Sequence, residues 1–281
     1  MKESLEQRIN KARTLIGDAE CILIGGGSGL SSAAGLTYSG DRFTTNFADF
    51  ISKYDMNDMY SAGFYPFATQ EEKWAYWSRH ININRYLPPA LPLYKNLYEL
   101  VKDKDYFVIT TNVDYQFYKV GFAPDRIFAV QGDYGKIQCA KGCHDTLYDN
   151  QSLVRQMVAE QKNCRIPANL VPRCPVCGGN MEVNIRKNGF FVEDTEWHAA
   201  EKRYEDFCGK LYDKKAVLLE LGVGYNTPTI IRFPFERLTY HQKHTYLIRI
   251  NQEYSEPIEE NAEKTISFDE DLIDIVERLK I

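Results

Sequence analysis

Four of the seven cysteines are spaced for binding a metal ion. Three residues separate Cys139 from Cys143, two separate Cys174 from Cys177, and thirty lie between the two pairs. Two thiolate pairs on tight turns suit tetrahedral Zn²⁺ or another thiophilic ion, and four protein ligands leave no open position for catalysis. We therefore predict a closed, structural zinc site. The remaining cysteines are interpreted as core or surface thiols: Cys21, Cys164 and Cys208.

A glycine-rich segment near the N-terminus has the composition of a phosphate-binding turn. The apolar run 21–24 leads into residues 25–29, Gly-Gly-Gly-Ser-Gly. Glycine lacks a Cβ atom and so lets backbone N–H groups approach a pyrophosphate. Ser32 interrupts the strict Gly-x-Gly-x-x-Gly pattern, and no clear acidic residue follows about 20 residues later, which argues against an ordinary dehydrogenase site. The segment indicates either a nucleotide site or a tight strand-to-helix turn without a ligand.

Polar side chains that could orient a sugar or an amide occur where two further apolar runs end. Asn112 and Asp114 follow the run 106–110, and Gln131 follows the run 126–130. Asparagine offers both a donor and an acceptor, and aspartate offers acceptors; capping of a helix is the alternative role for this pair. Gln131 can hold hydroxyl groups, but a glutamine cannot act as a general base near neutral pH.

These candidates follow a repeated pattern of apolar runs that end in small or polar residues. Residues 4–17 have the spacing of an amphipathic helix. The five apolar runs lie at 21–24, 106–110, 126–130, 216–221 and 245–250. In open parallel sheets, ligands bind beyond the carboxyl ends of the strands. We therefore predict an α/β fold, a doubly wound (Rossmann-like) parallel sheet, with the strand-end residues meeting at one crevice.

Two segments interrupt the predicted sheet. Residues 44–90 are rich in aromatic residues and asparagine and indicate a helical insertion, while residues 136–190 carry the cysteine pairs and indicate a small zinc-binding module. The Rossmann-like domain is then discontinuous and comprises residues 1–43, 91–135 and 191–281. Ser267 and Glu270 have the spacing of a capping box and predict a last helix over 268–280.

The overall composition excludes several classes of protein. The chain has 281 residues, 44% of them hydrophobic, and a formal net charge of −5. It therefore lacks the basic excess needed to bind nucleic acid through phosphates. No apolar run approaches the roughly 18 residues that span a membrane, and the charged residues 1–14 do not resemble a signal peptide. We expect a cytoplasmic protein that binds neither nucleic acid nor membrane.

The order of the motifs resembles that of the sirtuins over roughly residues 10–280. Residues 27–31 (GSGLS) with 35–36 (GL) are similar to the sirtuin opening GAGxS…GI, and residues 111–114 (TNVD) to the motif QN-I/V-D. Gln131 stands where sirtuins carry a catalytic histidine before glycine, and the cysteine pairs follow as in the sirtuin zinc module. Residues 177–179 (CGG) with 190–193 (FFVE) are similar to the sirtuin segment CGG…FFGE. Residues 222–224 (GVG) are similar to the sirtuin GTS turn, and residues 250–253 (INQE) to the motif IN-x-E.

The sirtuin resemblance implies NAD as co-substrate and Zn²⁺ as a structural ion. It implies that Asp114 holds the nicotinamide carboxamide, Asn112 the ribose or a water, and Gln131 the ribose hydroxyls, which makes these three the candidate catalytic residues. The implied zinc ligands are Cys139, Cys143, Cys174 and Cys177. The implied NAD contacts are Gly25, Gly27, Ser28, Gly29, Ser31, Leu36, Thr37, Phe43, Asn112, Val113, Asp114, Gln131, Gly222, Val223, Gly224, Asn251, Gln252, Glu253 and Phe268.

Three departures from the sirtuin pattern change the implied activity. Gln131 replaces the histidine, residues 37–40 (TYSG) replace Pro-Asp-Phe-Arg, and the first cysteine pair has three intervening residues rather than two. These departures are similar to those of the macrodomain-linked class M sirtuins, which are described as NAD-dependent protein ADP-ribosyltransferases. That resemblance implies, as acceptor, a lipoylated carrier protein like the glycine-cleavage H protein. It also implies a functional link to a macrodomain ADP-ribosyl hydrolase and a lipoate ligase.

Three other activities remain open from the sequence. They are a weak NAD-dependent deacylase, an NAD glycohydrolase and a non-catalytic sensor of NAD or ADP-ribose. Replacing the histidine removes the base that drives acyl transfer but leaves the groups needed to break the nicotinamide bond. The presence of both Asn112 and Asp114 argues against a sensor. Arg186 is either a solvated charge or a group that reaches the crevice, and the aromatic residues at 74–77 indicate either core packing or a partner surface.

Overall fold

The computed structural model describes residues 3–280 and contains two β-sheets. In chain order the strands are β1 (Cys21–Gly26), β2 (Asp105–Thr110), β3 (Ile127–Ala129), β4 (Gly132–Cys139), β5 (Tyr148–Asp149), β6 (Met181–Ile185), β7 (Ala216–Leu221), β8 (Thr245–Ile250) and β9 (Thr265–Phe268). The larger sheet has the order β3-β2-β1-β7-β8-β9 with all neighbours parallel. The chain moves outward from β1 in one direction and then, after β3, in the other. This is the doubly wound arrangement, and the predicted fold class is confirmed.

Eleven α-helices are present in the described part of the chain. They are α1 (Leu5–Asp18), α2 (Ser28–Ala33), α3 (Asp41–Tyr54), α4 (Met59–Ala62), α5 (Gln70–Ile81), α6 (Pro92–Val101), α7 (Gln116–Lys119), α8 (Gln151–Glu160), α9 (Thr195–Lys210), α10 (Arg232–His241) and α11 (Leu272–Leu279). A π-helical turn, Asn82–Tyr86, continues α5, and 3₁₀ turns lie at Pro124–Arg126, Ala168–Leu170 and Glu259–Lys264. Among these residues no helix is long and apolar enough to cross a membrane.

The larger sheet is buried on both faces because its strands are apolar on both sides. Along β1, Ile22 and Ile24 pack in one core with α1, α6 and α11, while Cys21 and Leu23 pack in a second core with α9 and α10. Successive side chains of a strand point to opposite faces, which explains why the run has no polar alternation. The helices packed on the two faces hold the ends of β1, β2 and β7 at one edge of the sheet.

The insertion and the small sheet share a third core. Helices α3 and α5 contribute a cluster of aromatic rings, and the antiparallel sheet β5-β4-β6 contributes apolar side chains to the same cluster. The two units therefore form a second lobe beside the parallel sheet. Strand β4 begins directly after Gln131, so the small sheet is joined to the carboxyl edge of the large one.

The C-terminal segment differs from its prediction. Residues 265–268 form β9, a sixth strand paired with β8, and the last helix begins only at Leu272. Asp271 caps this helix, with its side chain accepting hydrogen bonds from the N–H groups of Ile273 and Asp274. The Glu270 side chain accepts a hydrogen bond from Arg8 instead. The predicted capping box was wrong because the sequence Thr-Ile-Ser-Phe alternates as a strand, and tertiary pairing with β8 outweighs the local capping pattern.

Candidate active site

Two adjoining cavities lie at the carboxyl edge of the parallel sheet. Cavity A, of about 370 Å³, lies between the end of β2 and the second lobe, and cavity B, of about 460 Å³, lies beyond the ends of β7 and β8. Ser28 and Ser32, on the first turn after β1 and in α2, line both. Both cavities therefore lie at the strand ends, where the sequence predicted one crevice.

The turns after β1 and β7 are packed directly against each other. The N–H groups of Gly27 and Gly29 donate to the carbonyl oxygens of Leu221 (3.0 Å) and Gly222 (2.9 Å). A Cβ atom on Gly27 would lie 2.5 Å from the Gly222 oxygen, and one on Gly29 would lie 2.8 Å from the Gly222 Cα. These glycines thus permit close contact between two backbone turns, whereas the sequence indicated close approach to a phosphate.

Asn112 and Asp114 are held at the end of β2 by a buried hydrogen-bond network. The Asn112 amide nitrogen donates to the Gly27 carbonyl (2.8 Å) and to the Tyr94 hydroxyl (3.3 Å), and Ser31 contacts both Tyr94 (2.9 Å) and the Asp114 carboxylate. Within the described residues this leaves Asn112 Oδ1 as the amide atom that can bind a ligand. The network fixes the side chains of both predicted residues at the wall of cavity A.

The Asp114 carboxyl group is almost fully buried, and its electrostatics reflect two opposing effects. Burial raises its pKa because desolvation disfavours the charged form. Hydrogen bonds from the Ser31 hydroxyl and the Gln116 N–H (2.9 Å) stabilise the carboxylate and act in the opposite direction. A buried acceptor with fixed geometry is suited to hold an amide N–H group of a ligand.

Gln131 lies beyond β3 on the other side of cavity A. Its side-chain nitrogen donates to the Thr227 hydroxyl at 3.4 Å. Its main-chain carbonyl oxygen accepts a hydrogen bond from the main-chain N–H of Arg186 at 3.0 Å. The Arg186 guanidinium pairs with Glu193 and stacks on the Phe191 ring, 4.3 Å from its centroid. Arg186 lines cavity A, so the interpretation as a group that reaches the crevice is the one that the geometry supports.

The loop after β8 is positioned by Asn251. Its amide nitrogen donates to the Val223 carbonyl at 2.8 Å, and its Oδ1 accepts from the N–H groups of Glu253 and Tyr254, both at 3.0 Å. Glu253 and Gln252 are exposed and line cavity B. The Asn251 side chain therefore orders the loop and leaves the ligand-facing positions to its neighbours.

The structure brings together most, but not all, of the predicted NAD contacts. Cavity A is lined by Ser28, Ser31, Leu36, Asn112, Val113, Asp114 and Gln131, and cavity B by Ser28, Gly29, Gly222, Gly224, Asn251, Gln252 and Glu253. Gly27 and Val223 are buried in the turns beneath, and Thr37 is exposed outside both cavities. Three positions lie in the interior away from both linings. Gly25, in β1, faces the Ile231 side chain, and Phe43 and Phe268 belong to hydrophobic cores.

Sequence reasoning missed the wall of cavity A that the second lobe supplies. Tyr38, Met59, Trp77, His80 and Tyr134 line this wall. None of them follows an apolar run, so the strand-end pattern could not select them. The only local signal is that Trp77 and His80 are three residues apart on α5 and so share one face of the helix.

The four paired cysteines meet at one point, as predicted. Their sulfur atoms all lie within 4.8 Å of one another, with Cys139 and Cys177 Sγ 3.7 Å apart and Cys143 and Cys174 Sγ 3.6 Å apart. A tetrahedral ion with Zn–S bonds of about 2.3 Å has sulfur–sulfur edges of about 3.8 Å. The donor set and its dimensions therefore fit a structural Zn²⁺. The cluster lies in the second lobe, away from the linings of both cavities.

Comparison with known proteins identifies the family. A protein ADP-ribosyltransferase of Staphylococcus aureus is 39% identical over 265 residues, which is 94% of this chain and 84% of that protein. The chain belongs to the family of this protein ADP-ribosyltransferase. A probable bifunctional ADP-ribose hydrolase/ADP-ribosyltransferase of Fusarium oxysporum f. sp. cubense is 32% identical over 82% of this chain but only 40% of its own length. No family model matches the sequence.

The sirtuin fold is evident from solved structures. A Sir2 structure with a p53 peptide and NAD⁺ has a TM-score of 0.58 at 16% identity and covers 96% of each chain. Another, described under the mechanism and regulation of Sir2 enzymes, has a TM-score of 0.59 at 15% identity and covers 98% of this chain and 97% of its own. The chain is thus a protein ADP-ribosyltransferase with the Sir2 fold. The roles of individual crevice residues stay predictions.

Proposed function

We propose that the enzyme transfers ADP-ribose from NAD⁺ to a side chain of a lipoylated carrier protein similar to the glycine-cleavage H protein, as a macrodomain-linked class M sirtuin. The observation that carries this proposal is the composition of cavity A. Asn112 and Asp114 are fixed at the wall where a nicotinamide ribose would lie, while Gln131 stands at the position of the sirtuin base. The cavity can bind the donor but has no base at that position.

The proposed reaction breaks one bond and forms one. The bond between ribose C1′ and the nicotinamide nitrogen breaks, and its electron pair leaves with nicotinamide. An acceptor side chain supplies the electron pair for the new bond to C1′ and releases its proton to solvent. This step has oxocarbenium character, so positioning and charge stabilisation matter more than proton transfer. Asp114 would hold the carboxamide, Asn112 Oδ1 the ribose, and Gln131 the ribose hydroxyls.

Two features support the proposed partners. The mouth of cavity A carries the rings of Tyr60 and Phe64, which are 60% and 55% exposed and stack edge to face. Exposed aromatic rings beside a cavity suit an apolar group such as a lipoyl arm on an acceptor protein. The name of the Fusarium relative joins a hydrolase and a transferase in one protein, which supports the link to an ADP-ribosyl hydrolase. The link to a lipoate ligase rests on the class M resemblance alone.

Intact-protein mass spectrometry tests the acceptor. We expect the enzyme with NAD⁺ to add one ADP-ribosyl mass to the lipoylated carrier and none to the same carrier without its lipoyl group. Modification of both forms would retain transfer but remove the lipoyl requirement. Loss of the acyl group from an acylated peptide control, with no modified carrier, would replace the proposal with the deacylase activity. Free ADP-ribose alone would indicate a glycohydrolase.

The Gln131→His variant tests the missing base. We expect it to shift the product distribution towards O-acyl-ADP-ribose when an acylated peptide is supplied, because histidine can accept the ribose hydroxyl proton that glutamine cannot. The matched control is Gln131→Asn, which keeps an amide and should give no such product. Liquid chromatography of the nucleotide products measures both. An unchanged distribution in Gln131→His would contradict the role assigned to this position.

A further inference from the structure

The second lobe contributes a buried chain of hydrogen bonds to the wall of cavity A. The Tyr76 hydroxyl donates to the Met59 carbonyl oxygen (2.6 Å) and contacts His80 Nδ1 (3.1 Å). His80 Nε2 contacts the Tyr134 hydroxyl (2.9 Å), which contacts the Tyr38 hydroxyl (2.8 Å). We name this series, from Tyr38 through Tyr134, His80 and Tyr76 to Met59, the tyrosine–histidine chain. Tyr38, His80 and Tyr134 line the cavity that also contains Asn112 and Asp114.

The last member of this chain, the Met59 carbonyl oxygen, determines which group donates and which accepts in each of its hydrogen bonds. A carbonyl oxygen can only accept, so Tyr76 gives its single proton to Met59, and His80 Nδ1 must be the donor to Tyr76. A neutral imidazole has one N–H group, so Nε2 is an acceptor and receives the Tyr134 proton. Tyr134 then has no proton left, and Tyr38 donates to it. The Tyr38 oxygen therefore keeps its free lone pair as an acceptor.

His80 is held in the neutral form that this order requires. The imidazole is 1% exposed and packs against the rings of Trp77 and Tyr134, with centroids 5.1 and 5.0 Å away. Burial, with a smaller effect from the nearby Arg42 guanidinium, lowers the His80 pKa to about 3. Arg42 is itself fixed by the Thr37 carbonyl (2.8 Å) and so remains beside Tyr38. Such an imidazole is a poor proton acceptor at neutral pH, which argues against a relay that replaces the missing base.

We infer that His80 is a positioning residue that orients the tyrosine–histidine chain, so that Tyr38 Oη presents an acceptor to a hydroxyl or amide donor of NAD⁺ in cavity A. This inference rests on the proposed function. Without an acceptor at position 80, the Tyr134 proton can turn towards Tyr38, and the Tyr38 proton then turns towards the cavity. The Tyr38 hydroxyl would then present a donor to the cavity rather than an acceptor, and a donor group of the ligand would face another donor.

The test compares His80→Phe, Tyr134→Phe and His80→Gln by NAD⁺ titration calorimetry and steady-state nicotinamide release. We expect both phenylalanine variants to raise the Kd and KM for NAD⁺ about tenfold while kcat changes less, because one hydrogen bond is mismatched. The glutamine amide offers an NH₂ group that can donate to Tyr76 and a carbonyl oxygen that can accept from Tyr134, so His80→Gln should recover most of the affinity. The control His198→Gln lies on the exposed face of α9 and should match the native enzyme.

Several results would overturn the inference. Affinities within twofold of native in both phenylalanine variants would show that the chain does not orient the wall. A fall in kcat with unchanged KM in His80→Gln and His80→Phe alike, with loss of the acidic limb of the pH profile, would make His80 a base instead. If thermal melting shows that His80→Phe does not fold, Tyr134→Phe, which keeps the ring, decides the matter. Absence of any transfer by the native enzyme would contradict the proposed function, whereas calorimetry would still test the chain.

Discussion

Gly222→Ala should destabilise the protein by about 2–4 kcal/mol and weaken NAD⁺ binding at least about tenfold. Gly222 has φ +59°, a conformation that strains residues with a Cβ atom, and an added Cβ would lie 2.3 Å from the Leu30 nitrogen and 2.5 Å from the Gly29 carbonyl carbon. Left-handed strain and overpacking against backbone each cost about 1–3 kcal/mol. Because both obstacles are backbone atoms, no side chain can rotate away. The turn carrying Ser28 would have to move.

The matched control is Gly209→Ala, within helix α9. A Cβ atom there meets nothing within 4 Å, and φ has an ordinary helical sign. Alanine is favoured over glycine in a helix, so we expect a stability equal to or slightly above native. Urea denaturation measures the free energy of unfolding, and titration calorimetry measures NAD⁺ binding. Native stability and affinity in Gly222→Ala would mean that the turns after β1 and β7 are not held in contact.

The sequence predicted the sheet because apolar strands and polar strand ends are local patterns. Runs such as 21–24 and 216–221 need burial on both faces, and their strands are observed at those places. Parallel strands end at one edge, which is why the sequence alone predicts that Asn112, Asp114 and Gln131 lie close together. Strand β9 was missed because its alternation covers only four residues and overlaps the capping pattern of Ser267 and Glu270.

The second lobe's part of the site could not be predicted for a different reason. His80 and Tyr134 are far apart in the chain and meet only when α5 packs on β4. Aromatic residues on a helix indicate burial, but burial alone does not distinguish a hydrophobic core from a cavity wall. The glycine-rich turn shows the same limit, since the sequence left open a nucleotide site or a turn without a ligand and did not indicate that Gly27 and Gly29 contact the turn after β7.

Cys177→Ser is expected to abolish stoichiometric zinc binding and nearly all transfer activity. A serine hydroxyl is a poor Zn²⁺ ligand, and the remaining three thiols leave the tetrahedron open. Structural zinc contributes about 10–16 kcal/mol in isolated zinc-finger peptides; a bound ion would here tie together the turns that follow β4 and precede β6. Strand β6 ends in Ile185 and leads to Arg186, both of which line cavity A. Disorder in the cysteine module would therefore reach the crevice through β6.

Elemental analysis by mass spectrometry measures metal content, and scanning calorimetry measures the melting of the second lobe. We expect one zinc ion per native chain and a lower-temperature transition in Cys177→Ser. The control is Cys208→Ser, since Cys208 is a half-buried thiol on α9 outside the cluster and should leave zinc content unchanged. A native chain that is folded and active without metal, or Cys177→Ser with full zinc and native melting, would contradict a structural role. If Cys177→Ser melts at the native temperature but has lost activity, the ion would instead act on the position of Ile185 and Arg186 at the wall of cavity A.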